Sequence, residues 1–274
     1  MDYAPHSLCS LKIGNETIER IGLRFKTKSF KLVGIHLDDM MRWGEHAAKV
    51  RSKIATSSYA IARIKKSVPL QIKLQIYNSL LKCHLEYCLP IWGSCPNNIR
   101  RSILTIQKQT LRNIKMAKYN SHTDPIFKKL KILKFNDLYT LTCATFMFQI
   151  ALGTHPSTIN NLFVKSKNFD RNCEFLLKYA NNNFLSKQLH STLVIIWNRL
   201  PAGIKGWLKE LPEGTKSNKS VFSKPTKILQ GHNNSHNKFR LKGCQNALTD
   251  YFIHSYSEVV KCNNKFCYDC KVPK

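Results

Sequence analysis

Apolar residues recur at helical spacing from residue 45 to residue 114, and this period constrains the fold more than any other feature of the sequence. It divides into three amphipathic patterns, of which the second starts at Pro69, a residue that a first helical turn tolerates. Asn97 or Asn98 is a suitable cap for the third. The residues on these faces are Ala47, Val50, Ile54, Ile61, Ile64 and Val68, with Ser58 as the polar exception; then Leu70, Leu74, Tyr77, Leu81, His84 and Cys88; and finally Ile103, Ile106, Thr110 and Ile114.

The flanking segments predict a small β element before these helices and further helices after them. LKIGNETIERI (11 to 21) alternates around Gly14-Asn15 as a hairpin does, and FKLVGIHLD (30 to 38) predicts another strand. A helix is expected from about Asn136 to Gly153, and the apolar STLVIIWNRLP (191 to 201) predicts a buried element. The predicted fold class is mainly α with a small N-terminal β element.

Positive charge dominates the composition and is concentrated in the helical region. The chain carries 44 Lys and Arg against 16 Asp and Glu, a formal net charge of +28, with 43% hydrophobic residues. This composition excludes a disordered polar tail, and the charge predicts a polyanionic partner such as nucleic acid. Between Ala47 and Phe135 there are 18 basic residues and two acids.

On the third helix, Arg101, Lys108, Arg112 and Lys115 fall within a stripe about 60° wide, opposite the apolar face. We predict that this stripe is a basic ridge that contacts the phosphates of a nucleic acid, together with four lysines of neighbouring segments. Nearby aromatic side chains could stack on bases, or alternatively belong to the core. The four lysines are Lys49, Lys53, Lys128 and Lys129, and the aromatic residues are Tyr59, Tyr77, Trp92 and Tyr119.

No secretion signal or membrane span is expected, since no apolar run approaches the necessary length. Without such a signal, the ten cysteines indicate reduced thiols in an intracellular, nuclear or cytoplasmic protein. Cys262, Cys267 and Cys270 are weak candidates for a zinc site, with His254 or Cys244 as a fourth ligand. Their spacing fits no standard finger, and the alternative is a tail with free thiols.

Several strings, taken in order, resemble the reverse transcriptases of non-LTR retrotransposons of the jockey-like and LINE type. KLVGIHLDDMMRWGEHAAKV (31 to 50) matches at Gly34, Asp38, Trp43 and His46. The strings that follow are HLEYCLPIWGSCP (84 to 96), IQKQTLRNI (106 to 114), YNSHTDPIFKKLKILKFNDLY (119 to 139) and IIWNRLP (195 to 201). The HTDP string followed by NDLY is the most specific of them.

This resemblance implies the part of the polymerase that lies C-terminal to its catalytic palm. It implies a helical, thumb-like bundle that grips the template and primer, followed by an irregular α-rich extension. We therefore predict five segments: 1–44 as a remnant of palm-like strands, 45–153 as the basic thumb-like domain, 154–210 as the extension, 211–238 as a linker, and 239–274 as a short helix with a Cys-bearing tail.

The catalytic residues of such a polymerase are not expected in this chain. Two Mg²⁺ ions in the parent enzyme require an Asp in one palm strand and an aromatic-x-Asp-Asp turn, and neither context precedes residue 31. The Asp38-Asp39 pair stands elsewhere, and we expect Asp38 to cap the turn before Trp43. The chain alone is therefore predicted to be inactive and to need no cofactor, with the palm and endonuclease domains belonging to the parent polyprotein.

The leading hypothesis is a fragment that binds RNA or an RNA/DNA duplex, the template-primer, through its phosphate backbone. One alternative is a helical protein-interaction module, and another is a non-functional relic of the element. A further alternative is a polymerase whose palm residues come from another chain. The sequence leaves the oligomeric state open.

Overall fold

The first elements of the computed structural model are two separate two-stranded antiparallel sheets. β1 (Leu11–Ile13) pairs with β2 (Glu16–Ile18), and β3 (Phe30–Leu32) pairs with β4 (Ile35–Leu37). The hairpin predicted around Gly14-Asn15 is therefore confirmed. The structure describes residues 11–18, 29–39, 41–167, 169, 174–177, 189–206 and 230–256.

The segment from residue 30 to residue 38 is a hairpin, so the prediction of one strand there is wrong. Val33 and Gly34 both have positive φ, 47° and 81°, which is the backbone of the tight turns that suit the twist of a hairpin. The Tyr87 hydroxyl donates a hydrogen bond to the Val33 carbonyl at 2.6 Å. This bond helps to hold a β-branched residue in a left-handed conformation that such residues rarely adopt.

The long helix α1 (Gly44–Ile64) begins after a turn that is closed by an aspartate. The Asp38 carboxylate accepts hydrogen bonds from the backbone N–H groups of Arg42 at 2.8 Å and Trp43 at 3.0 Å. Trp43 itself is buried and has a φ of 61°. The prediction that Asp38 caps this turn is confirmed.

The second predicted helix is interrupted by a π-helical segment. α2 (Leu70–Ile76) runs into the π-helix Tyr77–Lys82 and then into α3 (Cys83–Glu86). The wider π turn holds one extra residue, so Leu85 rather than the predicted His84 follows Leu81 into the core. The run ends at Glu86 instead of Cys88, whose left-handed backbone precedes α4 (Leu89–Trp92).

The remaining described elements are helical, and the predicted fold class, mainly α with a small N-terminal β element, is confirmed. Among the described helices, none is both long and apolar enough to cross a membrane. These elements are α5 (Asn97–Lys115), α6 (Asp124–Leu130), α7 (Phe135–Ala151), α8 (Ser157–Asn160), α9 (Leu189–Asn198), α10 (Ala202–Lys205) and α11 (Gln230–Ser255).

α1 and α5 pack along much of their length, and their polar exceptions pair with each other. Ser58 of α1 and Thr110 of α5 interrupt the two apolar faces, and their hydroxyl oxygens lie 2.7 Å apart in a hydrogen bond. Both side chains are buried. Each hydroxyl therefore has a partner, as buried polar groups require.

α7 lies centrally, with α4, α5, α9 and α11 packed against it. The buried apolar element predicted at residues 191 to 201 is largely α9, whose Leu193, Val194 and Trp197 are core residues. The last helix begins at Gln230, earlier than predicted and inside the segment 211–238 that was predicted as a linker. Residues 211–229 of that segment lie outside the described residues.

Candidate nucleic-acid interface

The solvent-exposed side of α1 presents basic, hydroxyl and aromatic side chains in one row, which we call the α1 face. Val50, Ile54 and Ile61 lie on the buried side of α1. Because residues three and four positions apart share one side of a helix, a second such series lies on the opposite, solvent-exposed side. Tyr59 is 64% exposed, and the Arg63 guanidinium lies 6.0 Å from the centroid of its ring. The members of the α1 face are Lys49, Lys53, Thr56, Tyr59 and Arg63, all exposed.

At its N-terminal end the α1 face meets the β3–β4 hairpin through a lysine and a histidine. Lys49 Nζ lies 3.1 Å from Nδ1 and 3.3 Å from Nε2 of His36, and 3.1 Å from the Glu45 carboxylate. Desolvation, followed by the charge of Lys49, lowers the pKa of His36. Burial and the neighbouring ammonium group therefore both disfavour protonation of the His36 ring.

Two further histidines lie near this end of α1. His46 is 4% exposed, its ring packs edge-on against Trp92 at 5.3 Å, and its pKa is lowered to about 4 by burial and then by the charges of His36, Lys53 and Lys49. Burial, followed by the charge of Lys53, lowers the pKa of His84, which is half-buried. The electrostatic environment here is therefore positive, which suits an anion.

The predicted ridge on α5 is only partly on the surface. Arg101 is exposed, but Lys108 is 5% exposed, so the prediction that it belongs to a solvent-facing ridge is wrong. Leu104 and Leu111 flank Lys108 one turn away on either side, and both are buried, so the covered part of α5 is wider than its isoleucine face.

The other two members of that ridge are half-buried. Arg112 Nε donates a hydrogen bond to the Ser121 carbonyl at 2.9 Å, and Lys115 is in the last turn of α5. Arg112 thus fixes the chain that follows α5. Of the stripe, Arg101 is the member whose side chain is exposed.

The eight basic residues predicted to bind nucleic acid lie on three different helices. Lys49 and Lys53 are on the α1 face, whereas Lys128, half-buried, and the exposed Lys129 are on α6. α6 contacts α5 and α11. The aromatic candidates divide as well: Tyr59 and Tyr119 are exposed, and Tyr77 and Trp92 are core residues.

Thr56 and Arg63 were missed at the sequence level, although a signal for them existed. Counting in steps of three and four from Lys49 and Lys53 leads to both, on the side opposite the buried residues. The predicted ridge was chosen from the density of basic residues on α5. The apolar pattern of α1 is the better guide, because it shows which side of that helix is left exposed.

The HTDP and NDLY strings meet in one polar cluster that ties α6, α7 and α11 together. Lys134 Nζ lies 3.0 Å from Asp124 Oδ1 and 4.5 Å from the centroid of the Tyr256 ring. The Tyr256 hydroxyl donates to Asp137 Oδ2 at 2.6 Å and accepts from the Lys134 N–H at 2.9 Å. Burial and then the Asp137 carboxylate raise the pKa of Tyr256. This cluster is a structural clamp.

The candidate zinc ligands Cys262, Cys267 and Cys270 lie outside the described residues. Within the part of the chain that the structure describes, no three His, Cys, Asp or Glu side chains are grouped as a metal site. Cys244, considered as a fourth ligand, is buried in α11, and burial raises the pKa of its thiol to about 12.

The described part of the chain is mainly helical, and the α1 face carries exposed basic side chains. Comparison with known proteins found a curated relative, the RNA-directed DNA polymerase from the mobile element jockey of Drosophila melanogaster. The two are 29% identical over 136 residues, 48% of this chain and 14% of the relative. No protein-family model and no solved structure matches the chain.

The similarity supports the predicted resemblance to a reverse transcriptase of a non-LTR retrotransposon. About half of the chain is related to a reverse transcriptase of a non-LTR retrotransposon. The chain covers only a small part of that relative's length.

Proposed function

We propose that this chain is a non-catalytic part of a retrotransposon reverse transcriptase that binds RNA or an RNA/DNA duplex, the template-primer, through its phosphates. In this proposal the catalytic Asp residues and Mg²⁺ belong to the palm of the parent polymerase, and the chain itself has no cofactor and works inside the cell. The α1 face holds the duplex, in the manner of a thumb.

The observation that carries the proposal is the composition and length of the α1 face. From Lys49 to Arg63 the helix rises about 21 Å at 1.5 Å per residue, a length over which a duplex carries roughly a dozen charges. Three cations on the face reach phosphates, and the Thr56 hydroxyl is a further donor to phosphate oxygen. Tyr59 offers a flat surface for a sugar or a base.

Glu45 is the acid nearest to the α1 face in the helix, and Lys49 already neutralises it at 3.1 Å. No carboxylate of α1 lies within one helical turn of Lys53 or Arg63. The charges of these two residues are therefore available to a polyanion. Arg101, Lys115 and Lys129 add charge on other helices and would strengthen binding without selecting a base sequence.

The test is a salt titration of binding to a labelled RNA/DNA duplex. The variant Lys53→Gln/Arg63→Gln removes two charges of the α1 face, and the matched control Lys118→Gln/Lys131→Gln removes two exposed charges elsewhere. If both charges contact phosphate, the slope of log affinity against log salt becomes shallower by about two in the first variant. The control keeps the slope of the unaltered chain.

Equal slopes in the two variants would contradict the assignment of the α1 face. Mg²⁺-dependent primer extension by the chain alone would contradict its non-catalytic character. Binding of an acidic protein that excess duplex does not displace would favour the interaction module instead.

A further inference from the structure

His36 and Lys49 form a close pair between the β3–β4 hairpin and α1, at the N-terminal end of the α1 face. The ammonium nitrogen is within 3.3 Å of both ring nitrogens. His36 is partly accessible, and the Lys49 side chain is 48% exposed. A ligand in solvent can therefore reach both.

Burial, and then the net positive charge around His36, oppose protonation of its ring in the free protein. Lys49 and Lys53 of α1 and Lys31 of β3 are the cations that act on the ring, and Glu45 is the acid that partly offsets them. The neutral His46 ring stacks beside it, with the centroids 6.3 Å apart. Three cations and one carboxylate therefore act on the His36 imidazole, and the net charge around it is positive.

We propose that His36 and Lys49 are a proton-linked phosphate contact, in which a backbone phosphate of the bound duplex draws Lys49 from Glu45 and His36 takes up a proton from solvent. This inference rests on the proposed function, since it assigns a chemical role to one end of the α1 face. No covalent bond changes in the step. The protonated ring becomes a second charged donor to the phosphate oxygens.

The consequence is a binding affinity that rises as the pH falls. A phosphate next to His36 favours the imidazolium, so the bound complex carries more protons than the free chain between the lowered pKa of His36 in the free protein and its higher pKa in the complex. One proton taken up per binding event gives at most about a tenfold gain in affinity per pH unit. Below the pKa of His36 in the free protein the gain stops, because both states are then protonated.

The experiment measures affinity for a labelled RNA/DNA duplex at constant ionic strength from about pH 5.5 to about pH 8, the range in which an imidazole titrates. We expect the unaltered chain to bind several-fold more tightly at the acid end and His36→Gln to lose most of this gain. The matched control is His254→Gln, an exposed imidazole of α11 whose removal leaves the gain intact. Glu45→Gln removes the competing carboxylate and is expected to tighten binding at every pH.

A second measurement on the unaltered chain does not depend on any variant folding. The pKa of His36, followed by NMR of its ring, is expected to be higher with the duplex bound than without it. An unchanged pKa, or a pH dependence that survives His36→Gln, would overturn the proton link. If affinity is insensitive to pH while its salt slope still depends on Lys53 and Arg63, the proposed function stands and this inference fails. If neither dependence is seen, both fail.

Discussion

At the scale of single residues, Gln107 is the polar centre of the core. It is fully buried; its Nε2 donates to the Tyr77 hydroxyl at 2.9 Å and to the Leu133 carbonyl at 2.8 Å, and its Oε1 accepts from the Phe135 N–H at 3.0 Å. One side chain of α5 therefore connects the π-helix with the start of α7.

Gln107→Ala is expected to lower the free energy of unfolding by about 3 kcal/mol or more, because each buried group left without a partner costs about 1 to 3 kcal/mol. Urea denaturation measures the loss. Gln109→Ala, an exposed position two residues away, is the control and is expected to stay within about 0.5 kcal/mol. Similar losses in the two variants would show that the buried network contributes nothing of its own.

His46 predicts an acid-sensitive contribution to stability. Its folded-state pKa of about 4 lies below its ordinary value of 6.5, so between these values the unfolded chain binds the extra proton. Stability from this residue is therefore complete above about pH 6.5 and is lost as the pH falls toward 4, by about 3 kcal/mol in all. The difference in unfolding free energy between the unaltered chain and His46→Gln, measured across this range, is expected to shrink toward acid. If the difference in unfolding free energy between the two proteins did not change with pH, His46 would not be the source of the acid sensitivity.

Lys108 and Ser58 show what sequence reasoning captured at this scale and what it missed. Ser58 stood out as a polar residue on an apolar face, and its partner Thr110 was on the matching face of α5, but only packing reveals that the two meet. Lys108 was assigned to the surface because it lies opposite the face formed by Ile103, Ile106 and Ile114. The leucines one turn to either side, at 104 and 111, predicted a wider buried face, had they been counted.

At the scale of elements, apolar periodicity predicted most of the described helices because it records which side of each helix is covered. The π-helix Tyr77–Lys82 was not predicted, because no particular residue type marks the position at which a helix takes up one extra residue per turn. It is stabilised from outside: Ser57 Oγ of α1 donates to the Leu80 carbonyl at 3.0 Å. The early start of α11 was missed because its sequence is polar and contains glycines.

The docking of α11 depends on Tyr256, which follows its last residue. Tyr256→Phe removes a hydrogen bond to the Asp137 carboxylate and leaves the Lys134 N–H without its acceptor. Bonds to charged groups contribute about 1.5 to 3 kcal/mol, so we expect amide exchange in α11 to accelerate by roughly 10-fold or more. Tyr251→Phe, half-exposed on the same helix, is the control and is expected to leave exchange unchanged. Equal protection in both variants would show that apolar packing alone holds the helix.

At the scale of the whole molecule, sequence motifs identified the related family, and the comparison with the jockey polymerase supports it for about half of the chain. The division into five segments stays a prediction, as does the role of the basic residues. The HTDP and NDLY strings, which were noted for their resemblance to the family, contribute Asp124 and Asp137 to the polar cluster between α6, α7 and α11. In this chain the two strings therefore contribute contacts that hold α6, α7 and α11 together.

A net charge of +28 makes the stability of the chain depend on anions. Repulsion among the basic residues lowers the stability of the folded state at low salt, and a bound duplex both neutralises charge and binds the folded state selectively. With free duplex at about 100 times its dissociation constant, the gain is about 2.7 kcal/mol, which for a chain of this size corresponds to a rise in Tm of roughly 5 to 10 °C. Calorimetry of the chain with and without the RNA/DNA duplex measures the shift, with an uncharged polymer as the control for crowding.

Lys53→Gln/Arg63→Gln is expected to show a smaller shift at the same duplex concentration than Lys118→Gln/Lys131→Gln, since only the first pair lies on the α1 face. Equal shifts would mean that the duplex binds by overall charge and that the α1 face has no special part in it.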